Sequence, residues 1–401
     1  MVSSRQQSQS SLLRDAWVEI DLDAIERNIG VIKSWLGETP KSGIMAVVKS
    51  DAYGHGARRV SEILVAKGTS WLAVASVDEG IDLREGDQNT NILILGPAPF
   101  WAVDNALDHN LDLTVTSMEQ LEAVEKHARK SARRARIHLK VDTGMHRLGL
   151  APERFGEALE RAIASPNLEP VSVFSHLAMA SDREAVDFQR KRFEETIRVL
   201  KEKEIKLPCH LASSEAAEKF PDTHYDLVRI GIFLYGLRPR GASLDLHPAL
   251  SVRGRIMSIV EVPEGESAGY NWTWTASRNS RLASIPIGYA DGVSRKLSNN
   301  IYGYLMGKKI PQTGMISMDQ MLFDITDLPE AQEGDVITLI GSDEKAPQKP
   351  LALADWAQQL DTITYELACR LRVRLPRIYF RRASTSIKNE KLPKDMEGST
   401  G

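Results

Sequence analysis

Between residues 44 and 236 the sequence repeats one pattern eight times, and this repeat constrains the fold more than any other feature. Each unit has a short apolar run rich in β-branched residues, and amphipathic stretches with helical spacing lie between most of the runs. The runs span residues 44–48, 71–75, 92–95, 113–116, 137–141, 171–176, 209–212 and 227–236. Runs that are apolar on both faces and alternate with helices indicate parallel strands, so the pattern predicts an α/β fold with a (β/α)8, TIM-like barrel.

The pattern changes after Gly241. Strand-like runs at 250–262, 281–288, 314–326 and 335–341 are separated by turn-rich segments, and short helices at 352–360 and 364–371 precede a last strand at 375–382. These short strands with turn-rich connections predict a mainly antiparallel β domain. The domain boundaries that we expect are a flexible N-terminus over 1–14, the barrel over 15–243, the β domain over 244–382 and a disordered tail over 383–401, with a first strand at about 17–22 that packs on the β domain.

The bulk composition argues against several kinds of partner. A formal net charge of −3 and a pI of about 6.3 give no general field for nucleic acid, and the basic cluster at 127–136 is typical of the solvated end of a helix. No apolar run approaches the ~18 residues of a membrane-spanning helix. Two cysteines are too few for a disulfide framework and fit a reducing compartment. We therefore expect a cytoplasmic protein without nucleic-acid or membrane partners.

Polar side chains stand at the C-terminal ends of five of the eight predicted strands, where barrels of this kind carry their active sites. A single histidine or serine at a strand end is more often structural, but five strand ends that converge on one rim predict a site. The candidates are Lys49, then Lys140, Asp142, Thr143 and Arg147, then His176, then Ser213 and Ser214, and finally Arg229, Gly231 and Ile232.

Lys49 has the clearest chemical meaning among these side chains. A lysine at a desolvated strand end has a lowered pKa and suits Schiff-base chemistry, and the internal aldimine of pyridoxal 5′-phosphate is one example. That cofactor needs a phosphate site. The segments SSEAA at 213–217 and RIGI at 229–232 offer hydroxyls and backbone N–H groups where barrels usually hold phosphate. Tyr53, four residues after the lysine, adds a phenol donor.

Other motifs give weaker hypotheses. DTG at 142–144 also occurs in aspartic proteases, but these need two such carboxylates and no second DTG or DSG is present. No histidine pair has the spacing of HExxH, so no metal site is expected, and GMHRLG lacks the lysine and serine of a P-loop. A cofactor-free barrel hydrolase stays open at this point, because a fold does not fix a function.

Five segments resemble the motifs of one known family, in the same order along the chain. They are AVVKSDAYGHG, LKVDTGMHRLG, YDLVRIGIFLYG, IPIGYADG and GMISMDQ. The family is that of the alanine racemases, which are fold-type III pyridoxal phosphate enzymes, and the resemblance runs from about Trp17 to Arg382. It implies a barrel followed by a β domain, pyridoxal 5′-phosphate as cofactor, an amino acid substrate, and a homodimer whose active sites take residues from both subunits.

The resemblance implies a role for each matching residue. Lys49 would carry the cofactor as an aldimine and act as one catalytic base, and Tyr270 would come from the second subunit as the base on the opposite face. Arg229 would face the pyridine nitrogen. Further cofactor contacts are implied for Tyr53, Arg147, His176, Ser214, Gly231 and Ile232. Substrate contacts are implied for Arg147, Met318, Asp319 and Tyr289. Lys140 matches a lysine that is carbamylated in some members.

These roles fit racemisation of alanine. One base on each face of Cα removes a proton on one side and returns it on the other, and both pKa values must be tuned toward neutrality. A protonated arginine keeps the pyridine nitrogen unprotonated and weakens the electron sink, whereas fold-type III decarboxylases use a carboxylate there. The implied activity is an isomerase, EC 5.1.1.1, which supplies D-alanine for peptidoglycan. The alternative is a non-catalytic pyridoxal phosphate-binding barrel, a class that generally lacks the β domain and Tyr270.

Three positions depart from the family's usual pattern. Ser213 replaces a common asparagine, Asn271 replaces a glycine and is followed by Trp272, and Val373 replaces a tyrosine just before the RLPR segment. Valine has no donor for phosphate and fills less volume. We therefore expect a roomier pocket that accepts serine beside alanine, and a loss of cofactor affinity by about 1 kcal/mol for one missing hydrogen bond.

Kinetics with serine and alanine test the importance of Val373. We expect a higher ratio of serine to alanine kcat/KM than in enzymes that carry tyrosine there, because the valine leaves room for a hydroxymethyl group. Val373→Tyr is the matched comparison. An unchanged ratio in that variant would show that Val373 does not set the specificity.

Overall fold

The computed structural model of this protein describes residues 13–37, 43–86, 89–237, 243–343, 345–371 and 374–381. The first described elements are the strand β1 Ala16–Asp21 and the helix α1 Leu22–Leu36. Eight parallel strands follow, namely β2 Gly43–Val47, β3 Trp71–Val74, β4 Asn91–Ile94, β5 Asp112–Val115, β6 Ala135–Lys140, β7 Leu168–Phe174, β8 Cys209–His210 and β9 Leu227–Ile230. They neighbour one another in the order β9-β2-β3-β4-β5-β6-β7-β8.

Helical segments connect these strands. They are α2 Lys49–Gly54, α3 Ala57–Ala66, α4 Val77–Gly86, α5 Val103–Asp108, α6 Met118–Lys130, α7 Pro152–Ala164, α8 Arg183–Glu202 and α9 Ser214–Lys219. Asp21, Ser117 and Asp182 cap α1, α6 and α8, and each accepts a hydrogen bond from the backbone N–H three residues later. The apolar face of each longer helix is buried, as Ile25 and Ile29 of α1 are.

The ring closes between β8 and β9 through only a few backbone contacts. The N–H of Asp226 donates to the carbonyl of Cys209 at 2.9 Å, and the N–H of Arg229 donates to the carbonyl of Ala212 at 3.1 Å. Ser213 and Arg229 form a parallel bridge. The last strand therefore lies beside β8 at its C-terminal end, which brings the loop after β8 next to Arg229.

The second half of the chain is a mainly antiparallel sheet, and the predicted fold class is thereby confirmed. Its strands are β10 Leu250–Arg255, β11 Ser258–Val262, β12 Ser267–Ala268, β13 Trp274–Thr275, β14 Ser280–Ile285, β15 Tyr302–Leu305, β16 Lys308–Thr313, β17 Met321–Asp324, β18 Val336–Asp343, β19 Ala346–Leu351 and β20 Arg377–Phe380. The helices α10 Leu353–Gln359 and α11 Thr364–Arg370 precede β20. The main sheet has the order β11-β14-β17-β16-β15-β18-β10-β1-β20, and β12 pairs with β13 alone.

The strand β1 belongs to this second sheet, although it precedes the barrel in the sequence. It pairs antiparallel with β10 and parallel with β20. Glu19 of β1 is fully buried, accepts from the indole of Trp17 at 3.1 Å and forms an ion pair of 2.7 Å with Arg253 of β10. The boundary between barrel and β domain at 243/244 stays a prediction. Our expectations for residues 1–12, for Val373 and for 382–401 lie outside the described residues.

Some predicted runs are divided in the structure. The run 227–236 is β9 followed by a 3-10 turn over Ile232–Tyr235, and the run 314–326 is strand only over Met321–Asp324. The hairpin of β15 and β16 was not predicted, and its turn has positive φ angles at Met306 and Gly307, a conformation that composition does not reveal at methionine. No helix in the described ranges is long and apolar enough to cross a membrane.

Asn28 holds the connection between the two halves of the chain, and its replacement is expected to destabilise the fold. Its fully buried side chain donates to the carbonyls of Leu234 at 3.0 Å and His247 at 2.8 Å, and accepts from the N–H of His247 at 2.8 Å. We expect Asn28→Ala to lower the free energy of unfolding by about 2–4 kcal/mol, because buried backbone groups lose their partner.

Urea unfolding measures this loss. Asn105→Ala is the control, because Asn105 is exposed on α5 and its removal is expected to be neutral within about 0.5 kcal/mol. Equal effects of the two substitutions would contradict the role given to Asn28.

Candidate active site

A cavity of about 670 Å3 opens at the C-terminal mouth of the barrel. Ten side chains or backbone positions that the sequence predicted for a site line it together. They are Lys49, Tyr53, Lys140, Arg147, His176, Ser213, Ser214, Arg229, Gly231 and Ile232. The structure therefore brings these candidates from separate strand ends to one place.

The segment α2, which begins at Lys49, is a left-handed turn rather than a right-handed α-helix. Ser50, Asp51, Ala52 and Tyr53 all have φ of 54°. L-residues adopt this conformation at a cost of roughly 1–2 kcal/mol each, and four in succession are rare outside sites where the surrounding structure imposes them. The turn presents Lys49 and Tyr53, four residues apart, to the same cavity.

Contacts from both halves of the chain hold this turn. Glu79 accepts from the N–H of Ser50 at 2.6 Å and from the N–H of Ala75 at 2.8 Å. Arg377 of β20 donates to the carbonyl of Gly54 at 3.0 Å. A Cβ on Gly54 would lie 2.4 Å from the carbonyl oxygen of Ala368, so the glycine allows α11 to approach the turn closely.

The electrostatics of the cavity are dominated by cations. Burial and the charge of Arg147 lower the pKa of Lys49, while Glu79 acts in the opposite direction. Burial, together with Arg229, Arg147 and Lys49, lowers the pKa of Lys140 to about 8. Both lysines therefore release their protons more readily than a solvated lysine does.

Arg229 is buried beneath the cavity and has a nearly complete set of acceptors. Its Nη1 contacts His210 Nδ1 at 2.7 Å, and its Nη2 donates to the carbonyls of Ser175 at 2.7 Å and Leu211 at 2.8 Å. Burial lowers the pKa of Arg229 to about 9, which leaves it protonated at pH 7. Nε has no acceptor among the described residues, so this N–H is available to a ligand in the cavity.

His176 is neutral and lies against the same guanidinium. Burial and the neighbouring charge of Arg229 lower the pKa of His176 to about 3. Its Nδ1 lies 3.2 Å from Nη2 of Arg229 and can accept from it. The imidazole thus adds no positive charge to the cavity at neutral pH.

A small, donor-rich cradle lies at the end of β9. The N–H of Gly231 points to Ser214 Oγ at 3.0 Å, and a Cβ at Gly231 would lie 2.9 Å from the hydroxyl of Tyr53. The missing side chain leaves room beside two hydroxyls and backbone N–H groups. This donor set fits a phosphate group, and Lys49 with Arg229 fits the rest of a pyridoxal 5′-phosphate molecule.

Six other predicted residues do not line this cavity. Asp142 and Thr143 lie in the loop after β6, and Tyr270, Tyr289, Met318 and Asp319 lie on the β domain. Tyr270 is 66% exposed, Met318 53% and Tyr289 42%. Asp319 forms an ion pair of 2.8 Å with Arg374. The loops that carry Tyr289 and Met318 pack together, because the N–H of Ala290 donates to the carbonyl of Met318 at 3.0 Å.

Several cavity residues were missed in the sequence. Tyr365, Glu366 and Cys369 of α11 line the cavity. The spacing of Tyr365 and Cys369 places them on one helix face, but nothing local links that face to Lys49, more than 300 positions earlier. No grouping of three or more potential metal ligands occurs in the part of the chain that the structure describes.

Comparison with known proteins assigns the chain to a family. The model of the alanine racemase N-terminal domain matches residues 20–239, and that of the alanine racemase C-terminal domain matches residues 249–379. The chain belongs to the alanine racemase family. Family members similar to it include the alanine racemase of Nostoc sp., 39% identical over 380 residues that cover 90% of this chain and 95% of that protein. The alanine racemase of Methanococcus maripaludis is 37% identical, with 90% and 98% covered.

Solved structures of the family share the whole architecture. The alanine racemase of Clostridium difficile 630 superposes with a TM-score of 0.86 at 31% identity, and the match covers 92% of this chain and 97% of that one. The alanine racemase of Bacillus anthracis with bound L-Ala-P gives a TM-score of 0.84 at 33% identity, with 92% and 96% covered. The family resemblance thus extends over both domains.

The lowered pKa of Lys140 predicts a pH-dependent gain in stability when the amine is removed. Unfolding restores an ordinary lysine pKa of about 10.4, so the unfolded chain binds more protons than the native one between about pH 8 and 10. The charged amine therefore destabilises the native state at pH 7, and this cost fades as pH rises through that window. We expect Lys140→Met to raise the free energy of unfolding by about 1–3 kcal/mol at pH 7 and by much less at pH 10.

Urea unfolding of the cofactor-free protein in buffer freed of CO2 measures this difference. Lys130→Met, at the exposed end of α6, is the matched control and should show no such dependence. A gain for Lys140→Met that is equal at both pH values would contradict the lowered pKa.

Proposed function

We propose that this protein interconverts L-alanine and D-alanine with pyridoxal 5′-phosphate as its cofactor. The observation that carries the proposal is the convergence of Lys49, Arg229 and the Gly231 cradle in one cavity at the mouth of the barrel. These positions combine an amine of lowered pKa, a buried cation and donors suited to phosphate. Membership of the alanine racemase family supports the same assignment.

The cofactor would be held by residues that the cavity already brings together. When bound, pyridoxal 5′-phosphate supplies an electron sink that acidifies the Cα–H bond of an attached amino acid. Lys49 would attach it. The hydroxyls of Tyr53 and Ser214 and the N–H groups of Gly231 and Ile232 would hold its phosphate, and Arg147 and His176 would complete the contacts.

Lys49 would act as the base on one face of the substrate. A lysine that is protonated at pH 7 cannot take a proton from Cα, so its pKa must be lowered. Burial and Arg147 lower it in this cavity. Glu79 holds the following backbone N–H and thereby fixes where the side chain begins.

Tyr270 of the partner subunit would act on the opposite face. In its own chain Tyr270 is largely exposed and outside the cavity, which suits a residue that serves a second copy. Met318, Asp319 and Tyr289 share that surface of the β domain and would contact the substrate or its access path. We therefore propose a homodimer with shared active sites, and Arg147 as the residue that binds the substrate carboxylate.

Arg229 favours racemisation over other reactions of the cofactor. A guanidinium that stays protonated would donate to the ring nitrogen rather than protonate it, which limits stabilisation of a carbanion. Its carbonyl and imidazole acceptors hold the group in place. A carboxylate at this position would favour decarboxylation instead. The β domain and Tyr270 argue against a non-catalytic pyridoxal phosphate-binding barrel.

Lys140 is proposed as a site of carbamylation. A pKa of about 8 leaves part of the amine neutral at physiological pH, and the neutral amine is the form that reacts with CO2. A carbamate would place a negative charge near Arg147. A 13C NMR signal under labelled CO2 that is absent from Lys140→Met would support it, and identical spectra would rule it out.

The product D-alanine would serve peptidoglycan synthesis, and we place the reaction in the cytoplasm. Cys209 and Cys369 are both free thiols, which suits a reducing compartment.

Mixing two inactive variants tests both the catalytic roles and the shared site. Lys49→Ala and Tyr270→Phe should each lose most racemase activity, since each lacks one base. If the two bases come from different subunits, a mixed dimer regains one intact site of two. Random exchange of subunits should therefore restore about one quarter of wild-type activity, because about half of the dimers are mixed.

Alanine racemisation before and after denaturation and co-refolding of the two variants gives the measurement. Lys49→Ala that is co-refolded with itself is the control. Every chain in this sample has Tyr270 but none has Lys49, so the sample should stay inactive. No recovery in the unlike mixture, despite subunit exchange shown with tagged chains, would contradict a shared site. Full activity of Lys49→Ala alone would contradict the proposed function.

A further inference from the structure

A row of buried polar side chains runs across the barrel interior below the cavity. Five neighbouring strands, β5 to β9, each contribute one of its members. They are Asp112, His138, Ser172, His210 and Arg229. Each is at most 4% exposed. Buried polar groups at such a density are costly unless all of them are paired.

The members form one continuous chain of hydrogen bonds. Arg229 Nη1 lies 2.7 Å from His210 Nδ1, and His210 Nε2 lies 2.9 Å from Ser172 Oγ. Ser172 Oγ lies 2.6 Å from His138 Nδ1, and His138 Nε2 lies 3.1 Å from Asp112 Oδ2. No link exceeds the ordinary range for a hydrogen bond.

The two ends of this chain of hydrogen bonds fix the direction in which each bond is donated. A guanidinium can only donate, and an ionised carboxylate can only accept. Burial alone would raise the pKa of Asp112, but hydrogen bonds from His138 and Arg136 lower it below its ordinary value, so the carboxylate is ionised. Arg136 reaches Asp112 from the other side at 2.8 Å.

The three members between these ends could each point either way in isolation. Because each hydrogen bond is donated in the direction from Arg229 to Asp112, His210 must be unprotonated at Nδ1 and protonated at Nε2. Ser172 must donate to His138, which must also carry its proton on Nε2. Burial lowers the pKa of both histidines, so both are neutral and one tautomer of each satisfies every link.

We propose that Asp112, His138 and Ser172 are positioning residues that hold His210 in the tautomer that accepts from Arg229. The carboxylate at the far end of the barrel thereby fixes the orientation and the charge of the guanidinium that faces the cavity. The tautomers belong to the protein alone. Only the consequence for catalysis rests on the proposed function, through the role of Arg229.

A buried polar cluster with only a structural role would not require one particular tautomer of His210. It would lose stability when a member is replaced, but the tautomer of His210 would not depend on Asp112, which is three strands away. In the proposed chain, Asp112→Asn replaces an obligate acceptor by an amide that can also donate, so the direction is imposed from the Arg229 end alone. Part of the His210 population then carries its proton on Nδ1, where it opposes the guanidinium.

Nitrogen-15 NMR of the full-length protein labelled at histidine reads these tautomers directly, with and without pyridoxal 5′-phosphate. In the wild-type protein we expect His138 and His210 to stay neutral, with the proton on Nε2, from about pH 6 to pH 8. In Asp112→Asn we expect a measurable Nδ1–H population at His210. With the cofactor, kcat should fall about tenfold with KM nearly unchanged, by analogy with the loss of outer hydrogen-bond partners of metal ligands.

Asp104→Asn is the matched control, because Asp104 contacts His127 at 2.8 Å on the barrel exterior and should change neither reading. Ser172→Ala interrupts the chain of hydrogen bonds without removing a charge and should also lower kcat about tenfold. This variant tests the proposal if Asp112→Asn does not fold. A wild-type His210 protonated at Nδ1, or variants that leave both its tautomer and kcat unchanged, would overturn the proposal. A protein that binds no pyridoxal 5′-phosphate would overturn the proposed function and leave the tautomer result intact.

Discussion

Four cations share one cavity at the mouth of the barrel in this protein, and the rest of the structure depends on that arrangement. Burial lowers the pKa of Lys49 and of Lys140, and the charges of Arg147 and Arg229 lower both further. Glu79, the carboxylate that most directly opposes them at Lys49, is occupied by two backbone N–H groups. The cavity therefore favours an anionic ligand and a lysine that readily becomes neutral, which are the two requirements of a phosphate-bearing aldehyde cofactor.

The barrel alone does not build this site. The left-handed turn after Lys49 is unfavourable in isolation, and Arg377 of the β domain helps to hold it. The helix α11 packs against Gly54 and lines the cavity through Tyr365 and Cys369. The strand β1 ties the start of the barrel to the same sheet. Each half of the chain thus stabilises the geometry that the other half needs, before any second subunit is considered.

The sequence predicted the features that depend on local pattern. Buried parallel strands are short apolar runs, and their ends are marked by the first polar residues, so Lys49, His176 and Arg229 could be placed on one rim. The left-handed turn could not be foreseen, because serine, aspartate, alanine and tyrosine do not favour positive φ. The chain of hydrogen bonds from Arg229 to Asp112 could not be foreseen either. Its two ends are 117 positions apart in the sequence, and alternate residues of a strand look alike when both faces of the strand are buried.

The central claim is that Lys49 is the residue that carries the cofactor. Borohydride reduction of the protein loaded with pyridoxal 5′-phosphate, followed by peptide mapping, tests it most directly. The account predicts one phosphopyridoxyl group per chain, on the peptide that contains Lys49. A label on Lys140 or on another lysine instead, or no label at saturating cofactor, would contradict the account.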